Sequence, residues 1–196
     1  MTVEVNTGGK PPEGKPYYQL VGLPDNAVRE GFSRIESAIR NNNIPFPRIF
    51  MVVNLAPADI RKEGSSYDLS IAVGILAALG TIINNELDRY VIMGELSLDG
   101  ELRPVKGALP IAIQARKEKF KGLILPKQNA REAAIVSDLP VYGVTNLRQV
   151  VDFLNGTLIL HPELHNTREL FEEEKGKYPV DFSDVKGQEN IKRALE

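Results

Sequence analysis

Residues 54–80 read NLAPADIRKEGSSYDLSIAVGILAALG, a polar loop that leads directly into an apolar helix, and we expect the rest of the chain to be built around this stretch. From residue 69 to residue 79 the sequence carries aliphatic and small residues and one serine, with no charge. A helix without a polar face has to be surrounded by protein on all sides. The sequence therefore predicts that residues 69–79 form the central helix of the core.

The loop half of the same stretch has the opposite character. Its glycine and serines are surrounded by charged residues, namely Asp59, Arg61, Lys62, Glu63 and Asp68. Charged groups are costly to bury, so we expect them to lie at the mouth of the buried helix. Two interpretations stay open. These groups form a functional site, or Ser66 or Asp68 caps the helix by accepting a hydrogen bond from a free backbone N–H.

The composition is that of an ordinary globular protein. The chain has 196 residues, of which 42% are hydrophobic and 26% charged, enough for one core or one domain with an appendage. The net charge of −2 gives no overall attraction for nucleic acid, so DNA binding would need a local basic patch. The absence of cysteine excludes disulfides, thiolate metal ligands and a cysteine nucleophile.

Neither a membrane segment nor a metal site is predicted. The longest apolar run, residues 71–79, is far too short to cross a bilayer, and no signal peptide is visible. We therefore expect a cytoplasmic protein without a membrane partner. His161 and His165 have a spacing that could hold a metal, but Pro162 lies between them in a segment without helical periodicity, so we expect no bound metal.

Hydrophobic periodicity predicts the order of helices and strands. Asp25 is the expected N-cap of the clearest amphipathic helix. The apolar stripe of that helix is Val28, Phe32, Ile35 and Ile39, and its opposite face carries Arg29, Glu30, Arg34 and Glu36. Strands are predicted at residues 1–5, 17–22, 48–55, 90–94, 121–126 and 140–144, and further helices at 109–116, 129–137 and 146–155.

Two turn-rich segments predict connections between strands. Residues 7–16, TGGKPPEGKP, are expected to be a hairpin loop, and Asp99-Gly100 within residues 95–103 is a strong signal for a second hairpin. From residue 109 to residue 155 helices alternate with strands, which indicates a parallel βαβ unit, whereas the front half is hairpin-like. We therefore predict an α+β fold with a mixed sheet and helices.

The character of the chain changes after residue 156. Residues 157–178 are charged, contain an acidic run and lack a sustained apolar period, so we interpret them as a linker. Residues 179–196 begin a new element with too little sequence to bury it. We therefore predict one domain at residues 1–156, the linker, and at 179–196 the start of a second, truncated domain of a longer protein.

Common catalytic motifs are absent from the sequence. Neither GxxxxGK[ST], nor HExxH, nor GxSxG is present. The arrangement worth testing as catalytic is Ser66 with a lysine. A desolvated lysine with a lowered pKa can remove the proton of a serine without the help of histidine.

The segments GSSYDLSIAVGILAAL and MGELSLDGELRPVKGALP resemble the proteolytic domain of Lon protease, in which a serine and a lysine act together. The resemblance implies a Lon-protease-domain-like fold, also called ribosomal protein S5 domain 2-like. It places the serine position at Ser66 and the lysine position at Leu109, which cannot accept a proton. The dyad is therefore broken, unless Lys106 replaces the missing base.

A closer resemblance covers nearly the whole chain. The segments VGLPDNAVRE, NLAPADIRKEGSSYDL, GELSLDGELRPVKG, LPKQNAREAA and DFSDVKGQ are similar to the amino-terminal domain of the ComM/YifB family of magnesium-chelatase-like AAA+ ATPases. The resemblance implies ATP and Mg²⁺ as cofactors of the full-length protein, with none in this fragment. It also implies a hexameric ring that drives DNA branch migration in recombination or natural transformation. It places Val185, Gly187 and Gln188 on the adenine side of the ATP site.

The leading hypothesis is a non-catalytic domain that contributes ring assembly or a nucleic-acid contact to the ATPase motor. Candidate contacts with DNA are Arg61, Lys62, Arg103 and Lys106, because charges on exposed loops bind phosphates without sequence preference. Two alternatives stay open. One is an active peptidase through Ser66 and Lys106, and the other is a module that recruits a protein partner to a chelatase-like motor.

Overall fold

The computed structural model describes residues 1–9 and 17–163. The predictions for most of the linker, for the second domain at 179–196, for His165 and for Val185, Gly187 and Gln188 lie outside these residues. Within them the strands are β1 Thr2–Thr7, β2 Tyr18–Val21, β3 Met51–Ala56, β4 Tyr90–Ile92, β5 Glu95–Leu96, β6 Leu102–Arg103, β7 Gly122–Pro126 and β8 Val141–Val144. The helices are α1 Asn26–Asn41, α2 Asp68–Ala78, α3 Ala108–Lys117, α4 Lys127–Ala133 and α5 Leu147–Leu154.

The front half of the chain forms a three-stranded mixed sheet in the order β1-β3-β2. β1 is antiparallel to β3, with Val5 opposite Val53, and β2 is parallel to β3, with Leu20 opposite the same Val53. The predicted hairpin across residues 7–16 is therefore wrong. β3 lies between the two strands that were expected to pair, because the strand after α1 is the most apolar of the three and takes the central position.

Helices cover one face of this sheet. The predicted apolar stripe of α1, Val28, Phe32, Ile35 and Ile39, is buried, as are alternate residues of β3, Met51, Val53 and Leu55. α2 is buried almost all round, which confirms the prediction for the central helix. Two asparagines at the end of α1 donate to backbone carbonyls of the segment between β5 and β6, Asn41 to Leu98 at 2.7 Å and Asn42 to Asp99 at 3.0 Å.

The second half of the chain forms a parallel three-stranded sheet in the order β4-β7-β8. Every residue of the central strand β7 is buried, as expected for a parallel strand covered on both faces. Leu123 and Leu125 face a cluster that contains residues of α3 and α4. Ile124 faces the larger cluster that contains α1, α2 and α5. The predicted parallel βαβ unit is confirmed.

The architecture is thus α+β, with one mixed and one parallel sheet and a short β5-β6 hairpin. Gly100, in the turn of that hairpin, has a φ of +90°, as the Asp-Gly signal predicts. Among the described residues, no helix combines the length and the apolar character needed to cross a bilayer.

Candidate functional site

A buried ion pair lies at the start of the central helix. The side chain of Asp68 is 1% exposed and accepts hydrogen bonds from Nε of Arg34 at 2.8 Å and from its Nη2 at 3.1 Å. The backbone N–H of Leu96 donates to the same carboxylate at 3.3 Å. This one side chain therefore joins α1, α2 and β5.

The ion pair needs the absence of a side chain at Gly31. A Cβ atom at this position of α1 would lie 2.4 Å from Oδ1 of Asp68, a distance that non-bonded atoms do not reach. Burial raises the pKa of Asp68 above its ordinary value, and the contacts with Arg34 act in the opposite direction. Arg34 and the backbone N–H of Leu96 stabilise the charged form of Asp68 in a place from which water is nearly excluded.

The helix start differs from the capping prediction. Tyr67 takes the N-cap position and makes no side-chain capping bond, and Asp68 is the first helical residue. The carboxylate of Asp68 points to Arg34, which was expected on the polar face of α1 but is 25% exposed. The sequence does mark Asp68, as the one carboxylate at the start of an otherwise uncharged helix and so costly to bury alone, but it does not show which cation pairs with it.

A second carboxylate fixes the loop before α2. Oδ1 of Asp25 accepts from the N–H of Val28 at 2.8 Å, which confirms the predicted N-cap, and Oδ2 accepts from the N–H of Gly64 at 3.1 Å. The bond from Val28 is the main cause that lowers the pKa of Asp25. The backbone N–H of Asp25 also donates to the carbonyl of Lys62 at 2.9 Å. The loop is thus anchored to α1 at two points.

Lys62 is buried inside this loop. It is 2% exposed, and its ammonium donates a hydrogen bond to the carbonyl of Pro57. Its backbone N–H donates to the carbonyl of Leu23 at 3.1 Å. The expectation that Lys62 is an exposed contact with DNA phosphates is therefore wrong, because the loop folds around its own cation.

The other three candidate cations lie at the surface. The side chain of Arg61 is 70% exposed and 3.4 Å from Glu63, and that of Arg103 is 64% exposed and 3.6 Å from Glu95. Lys106 is exposed and makes no ion pair with the described residues. Each of the three is accessible to an anionic ligand.

A buried amide positions the loop that carries Lys106. Asn129, on α4, is 7% exposed. Its Oδ1 accepts from the N–H of Val105 at 2.9 Å, and its Nδ2 donates to the carbonyl of Val105 at 2.9 Å. Both backbone groups next to Lys106 are therefore fixed. Sequence reasoning did not find this residue, because an asparagine near a predicted helix start is more often a cap.

The serine and the lysine position of the resemblance do not form a catalytic pair in the described part of the chain. The hydroxyl of Ser66, a half-buried residue, has no hydrogen bond there to an amine or to any other group. The hydroxyl of its neighbour Ser65 donates to the carboxylate of Glu95. Leu109 packs against the cluster around α3 and α4, and its N–H donates to Oε1 of Glu132 at 3.2 Å.

Residues 1–9 and 17–163 contain no group of three carboxylates or imidazoles close enough to hold a metal ion. His161, one of the two histidines, is exposed.

The chain is similar to known proteins over most or all of its length. A family model described as subunit ChlI of magnesium chelatase matches residues 3–129. Over 195 residues, all of this chain, the sequence is 42% identical to the competence protein ComM of Haemophilus influenzae. It is 39% identical over 199 residues to the uncharacterized protein YifB of Escherichia coli, also across all of this chain. In both cases the chain spans 37% of the length of the relative.

A more distant relation extends to proteases. Lon protease 1 of Syntrophobacter fumaroxidans is 26% identical over 171 residues, which are 83% of this chain and 20% of that protein. The match with the ChlI model covers well over half of this chain, and ComM and YifB each share about two residues in five with it. The chain therefore belongs to the magnesium-chelatase-like ChlI family, together with ComM and YifB.

Proposed function

We propose that this chain is a non-catalytic, Lon-like amino-terminal domain of a longer magnesium-chelatase-like AAA+ ATPase. The longer protein is a DNA-processing motor of the ComM type, active in recombination or natural transformation. It assembles as a hexameric cytoplasmic ring and uses ATP and Mg²⁺ in a core that follows this domain. The observation that carries the proposal is the 42% identity to a competence protein along the entire chain.

The absence of peptidase activity is supported by the surroundings of Ser66. A serine nucleophile needs a base within hydrogen-bond reach, and the lysine position is the aliphatic Leu109. Lys106 is exposed to water and lies in a loop that Asn129 fixes through the backbone of Val105. A fluorophosphonate probe is therefore expected not to label the protein. Labelling that disappears in Ser66→Ala and in Lys106→Ala would instead establish an active peptidase.

The contact with DNA is proposed for Arg61, Arg103 and Lys106. Arg61 and Lys106 lie on loops and Arg103 ends the short strand β6, so each can approach the phosphate backbone more easily than a cation on a packed helix face. Binding through phosphates releases counterions, so the affinity falls steeply with salt, with a slope of about −0.9 per contacted phosphate. The ion pairs of Arg61 with Glu63 and of Arg103 with Glu95 are 3.4 and 3.6 Å long, and both arginine side chains are more than half exposed, so each guanidinium can exchange its carboxylate for a phosphate.

The test is fluorescence anisotropy with a labelled DNA duplex at several salt concentrations. The double variant Arg103→Glu, Lys106→Glu is expected to bind at least about tenfold more weakly at low salt. The slope of its log affinity against log salt concentration should correspond to about two fewer phosphate contacts. Lys117→Glu, an exposed cation at the end of α3, serves as the matched control and should bind nearly as well as the original chain. Equal affinity of the double variant and the original chain would refute the proposed contact.

The motor itself is tested with the full-length protein. DNA is expected to stimulate its hydrolysis of ATP, and the same double variant should need more DNA for half-maximal stimulation. An ATPase rate that does not respond to DNA would argue against a DNA motor. A pull-down in which this domain retains a specific protein, with no DNA response, would favour the recruitment alternative.

A further inference from the structure

β2 is an edge strand whose outer side is unpaired among the described residues. In the order β1-β3-β2 its one partner is β3. The carbonyl of Tyr17 accepts from the N–H of Met51 at 2.9 Å, so the backbone of Tyr17 faces β3. Because backbone direction alternates along a strand, the N–H and C=O groups of Tyr18 and Leu20 face away from the sheet. They offer two donors and two acceptors to an added strand.

A groove runs along this edge. It has a volume of about 270 Å³ and is lined by Tyr18, Gln19, Leu20 and Arg29. The ring of Tyr18 stacks on Phe32 of α1, with ring centres 3.4 Å apart. The side chains of Tyr18 and Leu20 therefore lie on the side of the sheet covered by α1, which also carries Arg29 from its first turn.

Arg29 gives the groove a positive charge. Arg29 is exposed and forms no ion pair with the described residues. Its Nε makes one long hydrogen bond, 3.4 Å, to the carbonyl of Pro24. No residue of β2 carries a carboxylate. The guanidinium is therefore available to a carboxylate that a ligand brings into the groove.

We propose that the edge of β2 binds an extended peptide segment of a partner protein that carries an acidic side chain. The segment adds a strand to the sheet through the backbone groups of Tyr18 and Leu20, and its carboxylate pairs with Arg29. This is the β-strand addition by which other sheet edges recognise peptides. The exposed side chain of Leu23, 55% accessible just beyond the end of β2, provides an apolar contact for the next residue of the peptide.

The hydrogen-bonding groups and the charge at the edge of β2 favour a peptide over nucleic acid or a second copy of this chain. A phosphate backbone has acceptors only, so nucleic acid would pair with Arg29 and leave the carbonyls of Tyr18 and Leu20 without donors. A second copy pairing through the same edge would bring one Arg29 into the neighbourhood of the other with no carboxylate from either β2. An acidic strand satisfies the donors, the acceptors and the cation together. The proposal is independent of the DNA-binding and ATPase activities.

The probe is a fluorescein-labelled, end-capped peptide of eight residues in which valine alternates with glutamate, compared with its valine and lysine counterpart. Anisotropy with the 196-residue chain should show at least about tenfold tighter binding of the glutamate peptide. Arg29→Glu is expected to remove that preference. Arg131→Glu, an exposed cation on α4, is the matched control and should change the affinity less than twofold.

The strand-pairing part is tested separately. A glutamate peptide with N-methyl groups on alternate residues cannot donate along one edge and should bind at least about tenfold more weakly. Amide hydrogen exchange at Tyr18 and Leu20 should slow when the unmodified peptide binds. Equal affinity for the two peptides, or a preference that survives Arg29→Glu, would overturn the proposal. So would displacement of the peptide by short DNA at low concentration, or dimerisation of the chain that Arg29→Glu leaves unchanged.

Discussion

Removal of the guanidinium of Arg34 should destabilise the protein far more than removal of any exposed cation. In Arg34→Ala the carboxylate of Asp68 stays in a site where it is 1% exposed, with the N–H of Leu96 as its remaining donor. Breaking a buried ion pair from one side costs about 3–5 kcal/mol. Arg34 is one quarter exposed, so we take the lower end, about 3 kcal/mol at pH 8.

The loss of unfolding free energy in Arg34→Ala should grow as the pH rises. Burial already raises the pKa of Asp68, and loss of the opposing contacts with Arg34 raises it further. Between the ordinary pKa of aspartate and this raised value, the folded variant holds a proton that the unfolded chain has released. Because the folded state then binds more protons, its stability falls as the pH rises. The difference between Arg34→Ala and the original chain should therefore be smallest near pH 5 and largest at pH 8.

Urea denaturation followed by circular dichroism measures this difference. With a slope of about 2 kcal/mol per molar, typical of a domain of this size, the midpoint should fall by about 1.5 M at pH 8. Arg116→Ala is the control, because its ion pair with Asp138 is 3.4 Å long and both side chains are more than half exposed. That change should cost less than about 0.5 kcal/mol. A deficit below 1 kcal/mol for Arg34→Ala, or one equal at pH 5 and pH 8, would refute the reasoning.

Two further changes test the packing around the site. Gly31→Ala places a Cβ atom 2.4 Å from the carboxylate of Asp68 and should cost about 2 kcal/mol in urea denaturation, although alanine is the better helix former; unchanged stability would contradict the contact. Asn129→Leu leaves the N–H and C=O of Val105 without their 2.9 Å partners and should cost about 2 kcal/mol, with faster hydrogen exchange at the amide of Val105. Protection of that amide equal to the original chain would show that the buried amide does not hold the loop.

Helices and strands whose pattern is set by burial could be predicted from the sequence. The apolar stripe of α1 shows which side of that helix faces the core, and the uncharged sequence of α2 shows that this helix is buried on nearly all sides. The Asp25 cap was also found, since its partner, Val28, lies three residues away in the chain. Such features depend on local spacing, which a sequence displays.

The features that the sequence did not reveal depend on partners distant in the chain or on the path of a loop. Arg34 meets Asp68 across 34 positions, and nothing local marks it as half of a pair. The order of the front sheet depends on which strand is central, and proximity along the chain suggested the wrong neighbour. Lysine is a residue type that usually lies at the surface. Lys62 is buried because its ammonium donates a hydrogen bond to a carbonyl of its own loop, that of Pro57.

The hydrogen bond between the N–H of Leu109 and the carboxylate of Glu132 limits what a lysine at position 109 could do chemically. The substitution Leu109→Lys would place an ammonium close to an anion that the backbone of residue 109 already contacts. Pairing with that anion favours the charged ammonium, whereas a general base has to be neutral to take a proton. A lysine at position 109 would thus need at least one compensating change on α4 before it could act as a base.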